Sequence, residues 1–258
     1  MSTSPTRDAP AMSTATATAT LSITGRDADL KTTDVDADAP TDRVRVQVRD
    51  QAQDREIARH QDAKSTVLLP SDAFFAMEYC ALGDLYSLLE TQPGCRFEEA
   101  TALALFRQIV AGVAFLHSVD IAHRDVSLEN VLLSSRMEAK ICDFGLSTSA
   151  SQWSSEAVGK LYYMAPEVVR GEVYDPVLSD VWALGIVLFV MLTGSPLFRV
   201  AEPTDPAWDA MRRVGVAGIL RRWQVQVSPS TEYLLSRMLQ LDPRERMPSV
   251  ASVARKLG

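Results

Sequence analysis

The run VWALGIVLFVML, from Val181 to Leu192, is apolar on every side. A helix that is apolar all round has to be surrounded by protein or by lipid, and a bilayer needs about 20 such residues. This run of about 12 is too short to span one. It reads as a buried core helix, and the rest of the chain must build a shell around it. With 258 residues, 47% apolar and 23% charged, the chain can bury one large core or two unequal lobes. A formal charge of −7 argues against nucleic acid as a partner. Cys80, Cys95 and Cys142 show no metal-ligand spacing and read as free thiols in a reducing compartment. The N-terminus has no basic start followed by an apolar stretch, and it is rich in aspartate. Neither a secretory signal nor a mitochondrial transit peptide is expected, so the default is a cytoplasmic or nuclear protein without membrane association.

Composition changes once along the chain. Residues 1–43, including STATATAT and DVDADAP, hold almost no large apolar side chains and read as a disordered low-complexity tail. RVRVQV (43–48) alternates like a strand, DREIARH (54–60) allows a helical turn or two, and the runs 67–69 and 73–79 around PSD read as a short hairpin. From Gly83 onward apolar residues fall at three and four spacing, in GDLYSLLE and in FEEATALALFRQIVAGVAFLHSV, whose acids suit a helix start. Two strand-like runs, 131–133 and 139–142, are joined by polar residues, and after about residue 160 only helical patterns remain. The expected layout is a mostly helical body carrying a small hairpin.

Beside that hairpin lies IAHRDVSLENVLL (121–133), which sets His123, Arg124, Asp125, Glu129 and Asn130 between two apolar runs. DFG follows at Asp143, Phe144 and Gly145, and APE at Ala165, Pro166 and Glu167. Any one tripeptide is weak; HRD with Asn five residues after its Asp, then DFG, then APE, in that order, is specific. SDVWALG (179–185) and LDPRERM (241–247) extend the series. The chain resembles a eukaryotic protein kinase over roughly residues 66–252. GKLYYMAPE looks serine/threonine-type and calcium/calmodulin-dependent-kinase-like.

The resemblance implies an α+β, protein-kinase-like fold with a mainly helical large lobe and a truncated β-rich small lobe. Residues 44–77 would be the small-lobe remnant and 78–258 the hinge and large lobe. It implies ATP and Mg2+ as cofactors, transfer to protein hydroxyls, and a monomeric chain acting on a protein substrate. Asp125 would accept or orient the substrate hydroxyl proton, while Asn130 and Asp143 would hold the metal, which as a hard cation takes oxygen ligands. Met77 would lie at the back of the adenine pocket, Glu78 to Cys80 would form the hinge, Asp84 would contact ribose, and Leu132 would be the apolar floor. Plain core packing is the alternative for Met77 and Leu132, and turn capping for Asn130 or Asp143 taken singly. His123 reads as a packed, hydrogen-bonded core residue. Glu167 and Arg246 are expected to form a buried ion pair, with Asp180 accepting bonds from the backbone near His123.

The departures from the family pattern carry as much information. Where the usual serine/threonine kinase has a Lys two residues after the catalytic Asp, this chain has Ser127; where a Thr follows the Gly ahead of APE, it has Lys160. We read a compensated swap, with Lys160 supplying the ammonium for the transferring phosphate and Ser127 a hydroxyl beside Asp125; a solvent-facing Lys160 is the alternative. Glu156 falls where an activating phosphate usually sits, and is expected to pair with Arg124 unless it is a solvated loop acid and Ser155 the switch. Ahead of the hinge the only glycine before Gly83 is Gly25, and the only lysines are Lys31 and Lys64. Glu56 is the candidate helix acid, but neither G-x-G-x-x-G nor V-A-I-K occurs. Two functions therefore stand: a serine/threonine kinase with weakened ATP binding, or a pseudokinase-like interaction module.

Overall fold

The computed structural model describes residues 77–258. The strand expected over 43–48, the turn over 54–60, nearly all of the hairpin over 67–79, and Lys31, Lys64 and Glu56 lie outside the described residues. The chain divides into two compact units, 1–78 and 79–258. Only Met77 and Glu78 of the first are described, both exposed.

The second unit is helical with two small two-stranded sheets. In chain order it runs α1 (Leu85–Glu90), α2 (Glu99–Ser118), β1 (Ile121–Ala122), β2 (Val131–Leu133), β3 (Ala139–Ile141), β4 (Thr148–Ser149), α3 (Pro166–Val169), α4 (Pro176–Thr193), α5 (Pro206–Arg222), α6 (Pro229–Met238) and α7 (Val250–Leu257). Strand β1 pairs antiparallel with β4, and β2 with β3. Among the described residues no strand follows Ser149, as the helical periodicity after residue 160 predicts.

The apolar run forms the centre of α4, but the helix is longer, 18 residues from Pro176, and by length and composition both it and α2 could cross a membrane. Helix α4 continues N-terminally through Ser179 and the buried acid Asp180, which the apolar run does not include. All of α4 except Val177, Leu178 and Thr193 is buried, so its apolar surface is spent on the core. Its ends are well specified. The Asp175 carboxylate accepts from Val177 N, Pro176 occupies the first turn, and Gly194 closes the helix at φ 73°. A Cβ at Gly194 would meet the Gly94 and Cys95 carbonyl oxygens at 2.7 Å, so both conformation and space demand glycine.

Helix α2 packs on α4 and α7, and its first-turn acid serves another helix. The Glu99 carboxylate accepts from Ser228 N at 2.9 Å and Ser228 Oγ at 2.6 Å, and Ser228 is itself the cap of α6. Burial pushes the Glu99 carboxyl up, but the Ser228 and Thr231 bonds outweigh it and hold it below the usual range.

Glu167 of α3 and Arg246 are both buried and meet across 79 residues in a two-pronged pair, Nη2 to Oε2 at 2.6 Å. Arg246 also donates to the Gln240 and Leu178 carbonyls and lies over the Trp182 ring, 4.9 Å from its centroid. None of the three cysteines is in a disulfide; Cys95 is exposed, Cys80 and Cys142 half-buried.

Candidate active site

Two small two-stranded sheets and one buried acid build the site. In β2/β3, Val131 faces Ile141, and Cys142 N bonds Asn130 O at 3.0 Å, which brings Asn130 and Asp143 to the same end. In β1/β4, Ala122 faces Thr148, which brings Arg124 to Leu146 O at 2.6 Å through Nε. Between them the backbone turns through Arg124 at φ 64°, a left-handed conformation costly for a side-chain-bearing residue. Asp180, fully buried on α4, holds that turn: its Oδ2 accepts from His123 N and its Oδ1 from Arg124 N, both at 2.8 Å. This is the backbone clamp expected for Asp180. The sequence reading missed its third partner, His117 Nε2, also at 2.8 Å.

His123 is fully buried, with Nε2 donating to Cys142 O at 3.0 Å and Nδ1 accepting from Asp125 N at 3.3 Å, and its ring lies 5.3 Å from that of Phe144. It is a packed core histidine that aims the neighbouring Asp125.

The Asp125 carboxylate accepts from Lys160 N through Oδ1 at 3.1 Å and from Asn130 Nδ2 through Oδ2 at 2.8 Å. The Lys160 ammonium turns inward. It donates to Ser127 Oγ at 2.7 Å and Asn130 Oδ1 at 3.2 Å, and lies 3.5 Å from Asp125 Oδ2 and 4.0 Å from Glu129 Oε2. One cation thus sits among two carboxylates, a hydroxyl and an amide oxygen. The approach depends on Gly159, at φ 103°, where a Cβ would meet Arg124 O at 2.7 Å. Sequence reasoning did not single out Gly159, although its place just before Lys160 was visible.

Asp143 is exposed, at φ 62°, with Gly145 N donating to Oδ1 at 3.2 Å. Among the described residues no three His, Cys, Asp or Glu side chains gather as a metal cage. Two oxygen donors, Asp143 and Asn130 Oδ1, nevertheless suit Mg2+, which keeps waters and takes substrate phosphate oxygens alongside one or two protein ligands. Burial raises the Cys142 thiol, and the Asp143 charge adds to that.

Of the residues expected around a nucleotide, Asp84 and Leu132 adjoin. Leu82 N bonds Leu133 O, Leu133 N bonds Gly83 O, and Asp84 bridges to Leu132. Leu132 is half-buried between buried Val131 and Leu133, so its side chain faces away from the core. Asp84 caps α1, its carboxylate accepting from Ser87 N and Oγ, each at 2.8 Å. Burial raises its carboxyl and those Ser87 bonds more than offset the rise, leaving it below the usual range. Cys80 is half-buried. Met77 is exposed rather than packed, and the residues preceding it lie outside the described ones.

In the segment between DFG and APE, Arg124 Nη1 donates to Glu156 Oε2 at 2.7 Å and to Ser154 Oγ at 3.1 Å. Tyr174 Oη anchors the same stretch on Glu156 O at 2.9 Å. The expected Glu156–Arg124 pair is therefore present in the unmodified chain.

The comparisons with known proteins agree with this architecture. The protein kinase domain family matches residues 31–256, starting well ahead of the motif-based limit near residue 66. The chain belongs to the protein kinase family. It is similar to the serine/threonine-protein kinase SRK2D of Arabidopsis thaliana, 36% identical over 79% of this chain and 59% of the relative. It is likewise similar to SAPK3 of Oryza sativa subsp. indica, 38% identical over 77% of this chain and 62% of the relative. The chain thus spans about six-tenths of the length of these relatives. They do not support the narrower calcium/calmodulin-dependent-like resemblance.

Proposed function

We propose that this chain is an ATP- and Mg2+-dependent serine/threonine protein kinase in which Lys160 and Ser127 replace the family's usual lysine and threonine. The observation that carries this reading is the inward Lys160 ammonium, shared between Ser127 Oγ, Asn130 Oδ1 and Asp125. Phosphoryl transfer has a loose transition state with charge on the transferring group, so the protein chiefly positions groups and neutralises charge. Asp125, fixed by the Asn130 side chain and the Lys160 amide, orients the acceptor hydroxyl and takes its proton as the bond from that oxygen to the γ-phosphorus of ATP forms and the bond to the β,γ-bridging oxygen breaks, releasing ADP. Lys160 stands beside it as the fixed positive charge facing the phosphoryl oxygens, and Ser127 sets the direction of the ammonium. Mg2+, when held by Asp143 and Asn130, supplies further neutralisation of the phosphates. The SRK2D and SAPK3 names support serine and threonine as acceptors.

The lack of a glycine-rich loop and of V-A-I-K favours the second reading, an interaction module with little or no ATP binding. Melting with and without ATP and Mg2+ separates the two. A ligand at a hundred times its Kd adds about 2.7 kcal/mol, which for a domain of this size raises Tm by about 5 to 10 °C. We expect such a rise at millimolar ATP; no rise at that concentration would favour the interaction module.

A further inference from the structure

Next to the Asp125–Lys160 cluster a groove of about 500 Å3 opens, its lining including Glu129, Lys160, Leu161, Tyr162, Arg199 and Pro206. Leu161 and Tyr162 are 56% and 45% exposed, an apolar wall that the body of the protein leaves uncovered. A chain whose hydroxyl rests at Asp125 must lay its neighbouring residues here, because Lys160 both touches Asp125 and lines the groove.

The charges of the groove are unevenly satisfied. Lys160 lies between Asp125 and Glu129, so its positive charge is already opposed by two carboxylates. Asp205 is buried and saturated: its Oδ2 accepts from Arg199 N at 2.7 Å and Val200 N at 3.2 Å, and its Oδ1 from Ala207 N at 2.8 Å and Trp208 N at 3.3 Å. The Arg199 guanidinium, on an exposed residue, makes no hydrogen bond or ion pair among the described residues. The groove therefore offers an apolar wall and one uncommitted, fork-shaped cation, a combination suited to an acidic side chain on an extended segment.

We propose that this groove binds a protein segment that carries the acceptor serine or threonine together with an aspartate or glutamate a few residues away, the acid pairing with Arg199. The placement of the hydroxyl rests on the kinase reading above; the pairing with Arg199 does not.

The test is fluorescence anisotropy of labelled serine peptides in an alanine–glycine background, each carrying a single glutamate or a single lysine at one flanking position, titrated with the full chain without nucleotide. The wild-type chain is expected to bind the glutamate peptide at one position about tenfold more tightly than its lysine counterpart, as an exposed attraction replaces a repulsion. Arg199→Glu should invert that preference and Arg199→Ala should abolish it, with melting temperatures confirming that both variants fold. Equal binding of the two peptide sets, no binding of either at millimolar chain, or a preference that survives Arg199→Glu would overturn the proposal. Phosphate transfer from ATP to the same peptides is read separately. A glutamate preference without transfer leaves the Arg199 pairing standing and removes the kinase reading, whereas transfer without a glutamate preference does the reverse.

Discussion

Lys160→Met is expected to lower phosphoryl transfer roughly a hundred- to a thousandfold, the loss seen when one preorganised charge-stabilising group leaves a reaction site. The ammonium is held at 2.7 Å from Ser127 Oγ and 3.2 Å from Asn130 Oδ1, and methionine keeps the length of the side chain without the charge. A melting curve read alongside separates lost chemistry from lost fold. The stronger form of the prediction is a rescue. Ser127 is fully buried and its hydroxyl touches the ammonium, so a lysine at 127 would enter the space that Lys160 vacates. Ser127→Lys combined with Lys160→Thr should recover at least about tenfold over Lys160→Thr alone, about 1.4 kcal/mol of barrier. A Lys160→Met chain of parental activity, or a double variant no better than Lys160→Thr, would remove the compensated swap.

The largest stability effect is expected at Arg246. Its guanidinium is buried, bonds Glu167 with both terminal nitrogens, donates to two carbonyls and covers Trp182. Arg246→Ala strands the Glu167 carboxylate without solvent, which costs about 3 to 5 kcal/mol. For a domain of this size Tm should fall by roughly ten degrees. Removing Glu167 as well takes away the stranded charge, so Arg246→Ala with Glu167→Ala should melt no lower than Arg246→Ala alone. The four proteins form a double-mutant cycle; additive losses, or an Arg246→Ala variant that melts with the parent, would show that the pair does not anchor α3 to the body.

What the sequence made legible was either local or carried by ordered motifs. The β2/β3 hairpin followed from two short apolar runs around a polar turn, and its register explains why Asn130 and Asp143 share one end. The Glu167–Arg246 and Arg124–Glu156 pairs were legible because the motifs fix both members of each pair. Periodicity reports the faces of a single element and says nothing of what another element brings to it. Glu99 therefore read as an acid for its own helix start, while the fold spends it on Ser228. His117 gave no signal of its contact with Asp180, because that contact spans 63 residues. The Arg199 wall was invisible for the same reason: Asp205 draws the loop after α4 into place through backbone amides, and amides carry no residue code. Met77 was placed by family likeness alone; it is exposed, and the residues preceding it lie outside the described ones.

The most direct measurement is incorporation of labelled γ-phosphate from ATP, with Mg2+, into a mixed protein acceptor by the full chain beside Asp125→Asn. Asp125→Asn keeps the size of the side chain and removes the carboxylate proposed to receive the hydroxyl proton. The wild-type chain should produce phosphoserine and phosphothreonine, and the variant none above background. No incorporation by the wild-type chain, equal incorporation by both, or phosphate confined to tyrosine would contradict the account.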